Sequence, residues 1–284
     1  MDVFTLYVGQ GELAAARAGG ESVIIDAHMP ATDHVTMGQI ESSLRDYVRN
    51  THVRGLILTG FDSDHAHAEG VDSILTHQEP DWVMYPKYYK DTDCASAVFA
   101  AIDRHVRRRE RGSHPLVRHS VRLDRLDSRH LTGLANSFRF ELFSPHIEDM
   151  GSSNNSSIVL KLSGLDATGF GYLITGDTET ERWATIDRFF GKALRAEVMS
   201  APHHGSTTGV HAGALLDVSP NTVLISAGVD SQYEHPDPAA VAAYQRVARH
   251  VFSTNANNEP TCLFTRRLGD DFETRLVSHP ASDE

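Results

Sequence analysis

Three stretches of the chain deliver metal-binding side chain types onto the end of an apolar run. The first is Leu56-Ile57-Leu58-Thr59-Gly60-Phe61-Asp62-Ser63-Asp64-His65, where a strand-like run gives way to two carboxylates and an imidazole. Oxygen and nitrogen donors converging on a rigid strand end suit Zn²⁺, Mn²⁺ or Fe²⁺. Taken alone, the same residues fit a polar loop capping the next helix equally well. The second stretch is Tyr172-Leu173-Ile174-Thr175-Gly176-Asp177. In isolation its Asp177 reads first as a helix N-cap, a role compatible with metal binding because a carboxylate has two oxygens. The third, Val198-Met199-Ser200-Ala201-Pro202-His203-His204-Gly205, is the least bland. Adjacent histidines after a strand and a proline seldom serve packing, and one ring can ligate while the other faces substrate. Tyr233-Glu234-His235-Pro236 adds a loop histidine, a weaker candidate for a substrate contact.

Such clusters need strands to hold them, and short β-branched runs bounded by Gly, Asp or Pro recur throughout. Strands are expected at Val3–Val8, Val23–Asp26, Gly55–Leu58, Trp82–Tyr85 and Phe138–Phe143. Later ones fall at Ser157–Leu162, Gly171–Thr175, Ala196–Ser200, Thr222–Ser226, Val251–Ser253, Thr261–Thr265 and Thr274–Val277. Met37, Ile40, Leu44 and Val48 form one apolar helical stripe. Further helices are expected over Ala95–Val106 and Pro238–Val247, and from a cap at Asp177 or Thr178 to about Phe190. Strands with interspersed helices predict an α/β fold in four layers, αββα, with mixed sheets inside and helices outside. Residues 1–284 read as one domain, and Gly112–His130 fits no period.

Hydrophobic content of 40% and charged content of 23% are ordinary for a globular chain. No apolar run approaches the ~20 residues of a membrane span, and the amino terminus lacks a signal pattern. With only Cys94 and Cys262, a disulfide framework is not expected, and the cytoplasm is the default address. The formal net charge of -12 argues against general electrostatic capture of nucleic acid. Residues 104–130 run the other way, with arginines at 104, 107, 108, 109, 111, 118, 122, 125 and 129 against Glu110, Asp124 and Asp127. This segment reads as a solvated surface excursion, or alternatively as a phosphate-attracting rim beside the site. No Gly-rich phosphate loop with lysine is present, so no cofactor beyond metal is indicated.

Taken together, the three clusters carry a resemblance. The chain resembles the metallo-β-lactamase superfamily over most of its length, closest to the metallohydrolase domain of ComEC/Rec2-type competence proteins. Val8-Gly9-Gln10-Gly11 followed by Val23-Ile24-Ile25-Asp26 is similar to that family's opening hairpin. Asn155-Ser156-Ser157-Ile158-Val159-Leu160 with Leu173-Ile174-Thr175-Gly176-Asp177 resembles its central strand pair. Pro202-His203-His204-Gly205-Ser206 is similar to its His-His-Gly-Ser loop, and Tyr233-Glu234-His235-Pro236 to its Tyr-x-His-Pro segment.

The resemblance implies the metallo-β-lactamase fold and metal ligands at Asp64, His65, Asp177 and His204. Asp64 and His65 match the end of the superfamily's His-x-His-x-Asp-His motif, Asp177 its bridging carboxylate and His204 the last ligand of the second metal. His203 would face substrate, and Asp26 would support the loops. Gly60 and Asp62 stand where the family has histidines, and Ser144-Pro145-His146 occupies the neighbourhood of another. Three outcomes follow: one ion on the four ligands, two ions with Asp62 and His146 rebuilding an oxygen-rich position that favours Mn²⁺, or none. The first two imply a zinc or manganese hydrolase using a metal-activated water, with Asp64, His203 and His235 as catalytic groups. The substrate would be a small-molecule or nucleic-acid phosphodiester, with esters, lactones and thioesters as alternatives. The third implies a catalytically silent binding module. The sequence does not set the oligomeric state.

Overall fold

In the computed structural model, which describes residues 1–88, 91–149 and 151–281, two sheets lie face to face. The first is built from β1 (Asp2–Thr5), β2 (Ala14–Ala18), β3 (Glu21–Ile25), β4 (His52–Ile57), β5 (Trp82–Pro86) and β6 (Val117–Val121). The second follows with β7 (His130–Leu131), β8 (Phe138–Ser144), β9 (Val159–Gly164), β10 (Gly171–Ile174), β11 (Val198–Ser200), β12 (Thr222–Ile225) and β13 (His250–Ser253). The chain then returns to the first sheet through β14 (Cys262–Leu268) and β15 (Asp271–Val277). Strand orders are β15-β14-β1-β2-β3-β4-β5-β6 and β13-β12-β11-β10-β9-β8-β7, each mixing parallel and antiparallel pairs. The helices are α1 (Met37–Val48), α2 (Ala68–His77), α3 (Asp93–Arg109), α4 (Thr180–Phe190), α5 (Ala212–Val218) and α6 (Pro238–Gln245). None of the described helices is long and apolar enough to cross a membrane.

Side chains on a strand alternate between faces, and here both faces are buried, which is why the strands read as continuous apolar runs. Val23, Ile25, Ile57, Trp82 and Met84 point into the gap between the sheets, where they meet Phe140, Leu142, Leu160, Tyr172 and Ile174. Ile24, Leu56, Val83 and Tyr85 point the other way, onto Ile40 and Leu44 of α1, Val71 and Ile74 of α2, and Val98 and Ile102 of α3. On the far side of the second sheet, Val159, Leu173 and Val223 pack against Trp183 and Ile186 of α4, Leu215 of α5 and Tyr244 of α6. Three apolar layers therefore separate four structural ones, the αββα arrangement expected from the sequence.

Local differences from the sequence reading have tertiary causes. Ala14–Ala18 lacks β-branched residues, yet it forms β2 because β1 and β3 pair with it on either side. Within the stretch that fits no period, residues 117–121 form β6, the parallel neighbour of β5. Its largely exposed side chains belong to a sheet edge, where alternation is weak. Helix α4 starts at Thr180 with Glu179 as N-cap, so Asp177 is not its cap. Gly176, at φ +50°, turns the chain after β10, and the Asp177 backbone N–H goes to Ser157 Oγ at 3.1 Å.

The arginines between 104 and 129 are largely engaged with acids. Arg104 pairs with Asp72 (2.9 Å), Arg118 with Asp103, Arg122 with Asp124 (2.8 Å) and Arg129 with Glu141 (3.7 Å). Arg109 is only 8% exposed and donates to the carbonyls of His114 and Pro80, both at 2.8 Å, stitching the end of α3 to its neighbouring loops. Arg109→Ala is expected to destabilise the protein by about 2–3 kcal/mol in urea denaturation, the scale of lost bonds from a charged donor. Arg107→Glu, on the exposed face of the same turn, should stay within about 0.5 kcal/mol. Equal effects from the two would remove the anchoring role given to Arg109.

Candidate metal centre

Four side chains from three strand ends converge at one rim of the sheets. Asp64 and His65 follow β4, Asp177 follows β10 and His204 follows β11, and their ligand atoms lie within 4.8 Å of one another. His65, Asp177 and His204 are buried while Asp64 is half-buried. The loop holding Asp64 and His65 is clamped from the first sheet. Glu12 N–H donates to the Asp64 carbonyl at 2.8 Å and Ala27 N–H to that of His65 at 2.7 Å. The turn carrying His204 is held by His203 N–H donating to the Gly176 carbonyl at 3.0 Å. His203, His204 and Gly205 all have positive φ, at 51°, 54° and 81°. Left-handed backbone at two consecutive non-glycine residues costs about 1–3 kcal/mol each, a strain that collects at functional sites. It aims the two rings away from the helical path.

Both buried imidazoles have one ring nitrogen fixed as a donor. His204 Nδ1 lies 2.9 Å from the Ser226 carbonyl, which can only accept, so Nδ1 carries a proton and Nε2 is the nitrogen that faces inward. His65 Nδ1 donates to Asp26 Oδ2 at 2.8 Å. Asp26 is fully buried at φ +58° and also accepts from Thr59 N (2.6 Å) and Thr59 Oγ1 (2.7 Å). It is a buttress behind His65. His65 Nε2 and Asp177 Oδ1 approach to 2.8 Å, and His204 Nε2 lies 3.6 Å from Asp177 Oδ1 and 3.5 Å from Asp64 Oδ2. Yet His65 Nε2, Asp177 Oδ1 and His204 Nε2 are all buried without a partner in hydrogen-bond geometry. Buried polar atoms without a partner are costly, and three converging on one point fit a cation.

The charges tell the same story. Burial disfavours the charged form of His65, but Asp177 and Asp26 outweigh it and raise its pKa well above the ordinary value. His204 is likewise raised against burial by Asp177 and Asp64. Burial also opposes ionisation of Asp64 and Asp177, and the imidazoles override it to hold both carboxyls below their usual range. The cluster therefore collects positive charge, which a divalent ion would supply while displacing protons.

The open side of this cluster is the floor of a cavity of about 390 Å³, lined also by Gln10, His28, Asp62, Ser63, Asn154, His203, Tyr233 and His235. Asp64, His203 and His235 thus share one space. His203 Nδ1 lies 2.9 Å from Thr208 Oγ1, and burial with His204 and His203 alongside lowers the His235 pKa. Asp62 lines the cavity but stands outside the four-ligand group. His146 does not reach the cavity. It lines a different hollow with Leu123, Glu148 and Phe189, because Asp149 accepts its backbone N–H (2.7 Å) and is itself held by Arg182 of α4 (3.0 Å). None of the arginines from 104 to 129 lines the cavity either.

Two residues that the sequence reading passed over stand at the centre. Glu12 is 4% exposed, and its carboxyl belongs to a second close group with Asp26 and His65. Burial, then the charge of Asp26, pushes its pKa up to about 7. A carboxylate directly after Gly9-Gln10-Gly11, opening an otherwise apolar segment, was the available signal. His28 fills space that only glycine at 11 permits, since a Cβ there would come within 2.2 Å of the ring. Its Nδ1 donates to the Ser63 carbonyl at 2.8 Å, and burial lowers its pKa to about 4. Because the folded value lies below the unfolded one, the unfolded chain binds more protons between about pH 6.5 and 4. Stability should therefore fall as pH drops through that window, by up to about 3 kcal/mol. Chelator-treated His28→Gln should lack this part of the slope; urea midpoints that track wild type at each pH would refute the assignment.

No protein-family profile matches the chain. It is 28% identical over 214 residues to ComE operon protein 3 of Bacillus subtilis, covering 75% of this chain and 25% of that protein. It is 32% identical over 100 residues to competence protein ComA of Neisseria gonorrhoeae, covering 35% and 14% of the two chains. A third match is recombination protein 2 of Haemophilus influenzae, at 26% over 121 residues, covering 42% and 14%. The chain thus spans a quarter or less of the length of these relatives. Among solved structures, Igni18, a metallo hydrolase from Ignicoccus hospitalis, aligns over 98% of this chain and 99% of its own, with TM-score 0.48 and 14% identity. A diphosphatase from the PhnP family aligns over 88% and 85%, with TM-score 0.40 and 10% identity. The chain is ComEC/Rec2-like in sequence.

Proposed function

We propose that this ComEC/Rec2-like chain is a metal-dependent hydrolase of phosphodiesters or related phosphoryl substrates, with one divalent cation held by Asp64, His65, Asp177 and His204. The observation that carries this reading is the convergence on the floor of an open cavity of three buried donor atoms, none of them in a hydrogen bond of regular geometry. Two carboxylates and two imidazoles suit Zn²⁺ or Mn²⁺. When bound, such a cation lowers the pKa of a water toward neutrality and takes up charge on a substrate oxygen.

The chain's own groups divide the remaining work. Asp64, half-open to the cavity, can accept a hydrogen bond from the attacking water and orient it. His203 and His235 stand on the same wall and can hold a phosphoryl oxygen or donate a proton to the leaving group. Asp26 keeps the His65 ring in register throughout. The names of the relatives, competence and recombination proteins, favour a nucleic-acid phosphodiester over an ester, lactone or thioester.

The test is metal analysis of protein purified without chelator, followed by assays on bis(p-nitrophenyl) phosphate and p-nitrophenyl acetate. About one ion per chain and metal-dependent release from the phosphodiester are expected. Less than about a tenth of an ion per chain after Zn²⁺ or Mn²⁺ soaking would remove the enzyme reading. Metal retention with neither substrate cleaved would favour a silent binding module, the reading that Gly60 and Asp62 support.

A further inference from the structure

Tyr233 is 59% exposed and lines the cavity above the candidate metal cluster. The loop that carries it is tied at both ends. Gly228 N–H donates to Gln10 Oε1 at 3.2 Å, and Val229 N–H to the Tyr7 hydroxyl at 3.3 Å. The Asn255 side-chain amide donates to the carbonyls of Gly228 and His235, both at 2.9 Å, closing the loop from behind. The Tyr233 ring lies nearly parallel to that of His235, with 14° between planes and 6.1 Å between centroids. His235 in turn meets His203 edge-on at 6.1 Å. A row of rings therefore runs from the metal-site histidine pair to the cavity mouth.

We propose that Tyr233, backed by His235, is a stacking platform for a planar aromatic ring carried near the phosphoryl group, as in a nucleoside phosphate. The inference rests on the phosphoryl reading given above and adds to it a determinant of specificity. Three physical points favour it. A tyrosine ring has only two side-chain torsions to fix on binding, so its contact area converts efficiently into affinity. Stacking on a tyrosine face tolerates any base, because every base has a π-face. And at a net charge of -12 the chain has no general attraction for anions, so affinity must come from the metal and from contacts that are not ionic.

The experiment measures binding to the full chain loaded with Mn²⁺, by calorimetry, using inorganic phosphate, ribose 5-phosphate and adenosine 5′-monophosphate as probes. Wild type should bind the nucleotide about tenfold more tightly than ribose 5-phosphate. Tyr233→Ala should bring that ratio close to one while leaving inorganic phosphate affinity unchanged, and Tyr233→Phe should keep the ratio. The preference for the nucleotide should also persist as salt is raised, since stacking is not screened. Equal affinity of wild type for the two organic phosphates, or a ratio that survives in Tyr233→Ala, overturns the platform and leaves the phosphoryl reading intact. Failure of inorganic phosphate to bind the metal-loaded protein would instead sink the phosphoryl reading, and the platform with it.

Discussion

His204→Ala and Asp177→Asn are each expected to abolish metal retention and any metal-dependent hydrolysis, with apparent affinity falling by more than about a hundredfold. Outer-sphere partners alone reach ~10–100-fold in metal sites, and these two residues are proposed as direct ligands. His204 is fixed through Nδ1 on the Ser226 carbonyl, which holds its Nε2 toward Asp64 and Asp177, whereas the adjacent His203 is held on Thr208 Oγ1. Asp177→Asn preserves shape but removes the charge, leaving His65 and His204 facing an amide. Both variants should also destabilise the metal-free protein. Removing the Asp177 charge strands two imidazoles whose pKa values it raises, and loss of one partner from a buried ion pair costs about 3–5 kcal/mol. Losing His204 in turn takes from Asp64 and Asp177 one of the imidazoles that hold their carboxyls ionised. Metal content by mass spectrometry, with circular dichroism to certify folding, checks both; a folded His204→Ala protein holding a full ion would contradict the ligand set.

Asp26→Ala should be the most damaging change at a residue that touches no metal. It leaves Thr59 N–H, Thr59 Oγ1 and His65 Nδ1–H without their shared acceptor inside a buried region. One such unsatisfied buried donor costs about 1–3 kcal/mol, so a loss of several kcal/mol is expected. Where the protein still folds, metal affinity should drop about 10–100-fold because the His65 ring is no longer oriented. Asp26→Asn retains one acceptor and opposes a second donor to His65, and should fall between. Glu12→Gln is the informative contrast. Glu12 sits beside Asp26 with its pKa near neutrality, largely through burial, so a neutral isostere should fold with close to wild-type stability. Equal losses from Glu12→Gln and Asp26→Ala would mean that the two carboxyls work as a unit.

Much of the architecture was legible because it is written locally. Both faces of each central strand are buried, so Leu56-Ile57-Leu58 and Tyr172-Leu173-Ile174 are apolar throughout and stand out from their polar loops. The stripe of Met37, Ile40, Leu44 and Val48 marked α1 to its ends. The strand-end position of Asp64, His65, Asp177 and His204 was equally visible, since a carboxylate or paired imidazole directly after such a run contrasts with its surroundings.

What tertiary structure decided is which distant groups meet. Alternation along a strand fixes which face a side chain takes, but not which other strand end lies across the rim. Glu12, Asp26 and His28 belong to the site only because β4 lies beside β3 and the Asp64 carbonyl binds the Glu12 N–H. His146 leaves it because Asp149 and Arg182 hold its loop against α4. Asp177 looks like a cap from its neighbours in sequence, but Glu179 caps α4, and the Asp177 backbone N–H goes to Ser157 Oγ while its carboxyl faces His65 and His204. Local chemistry nominates ligands; long-range pairing, set by packing energies that no short window contains, selects among them.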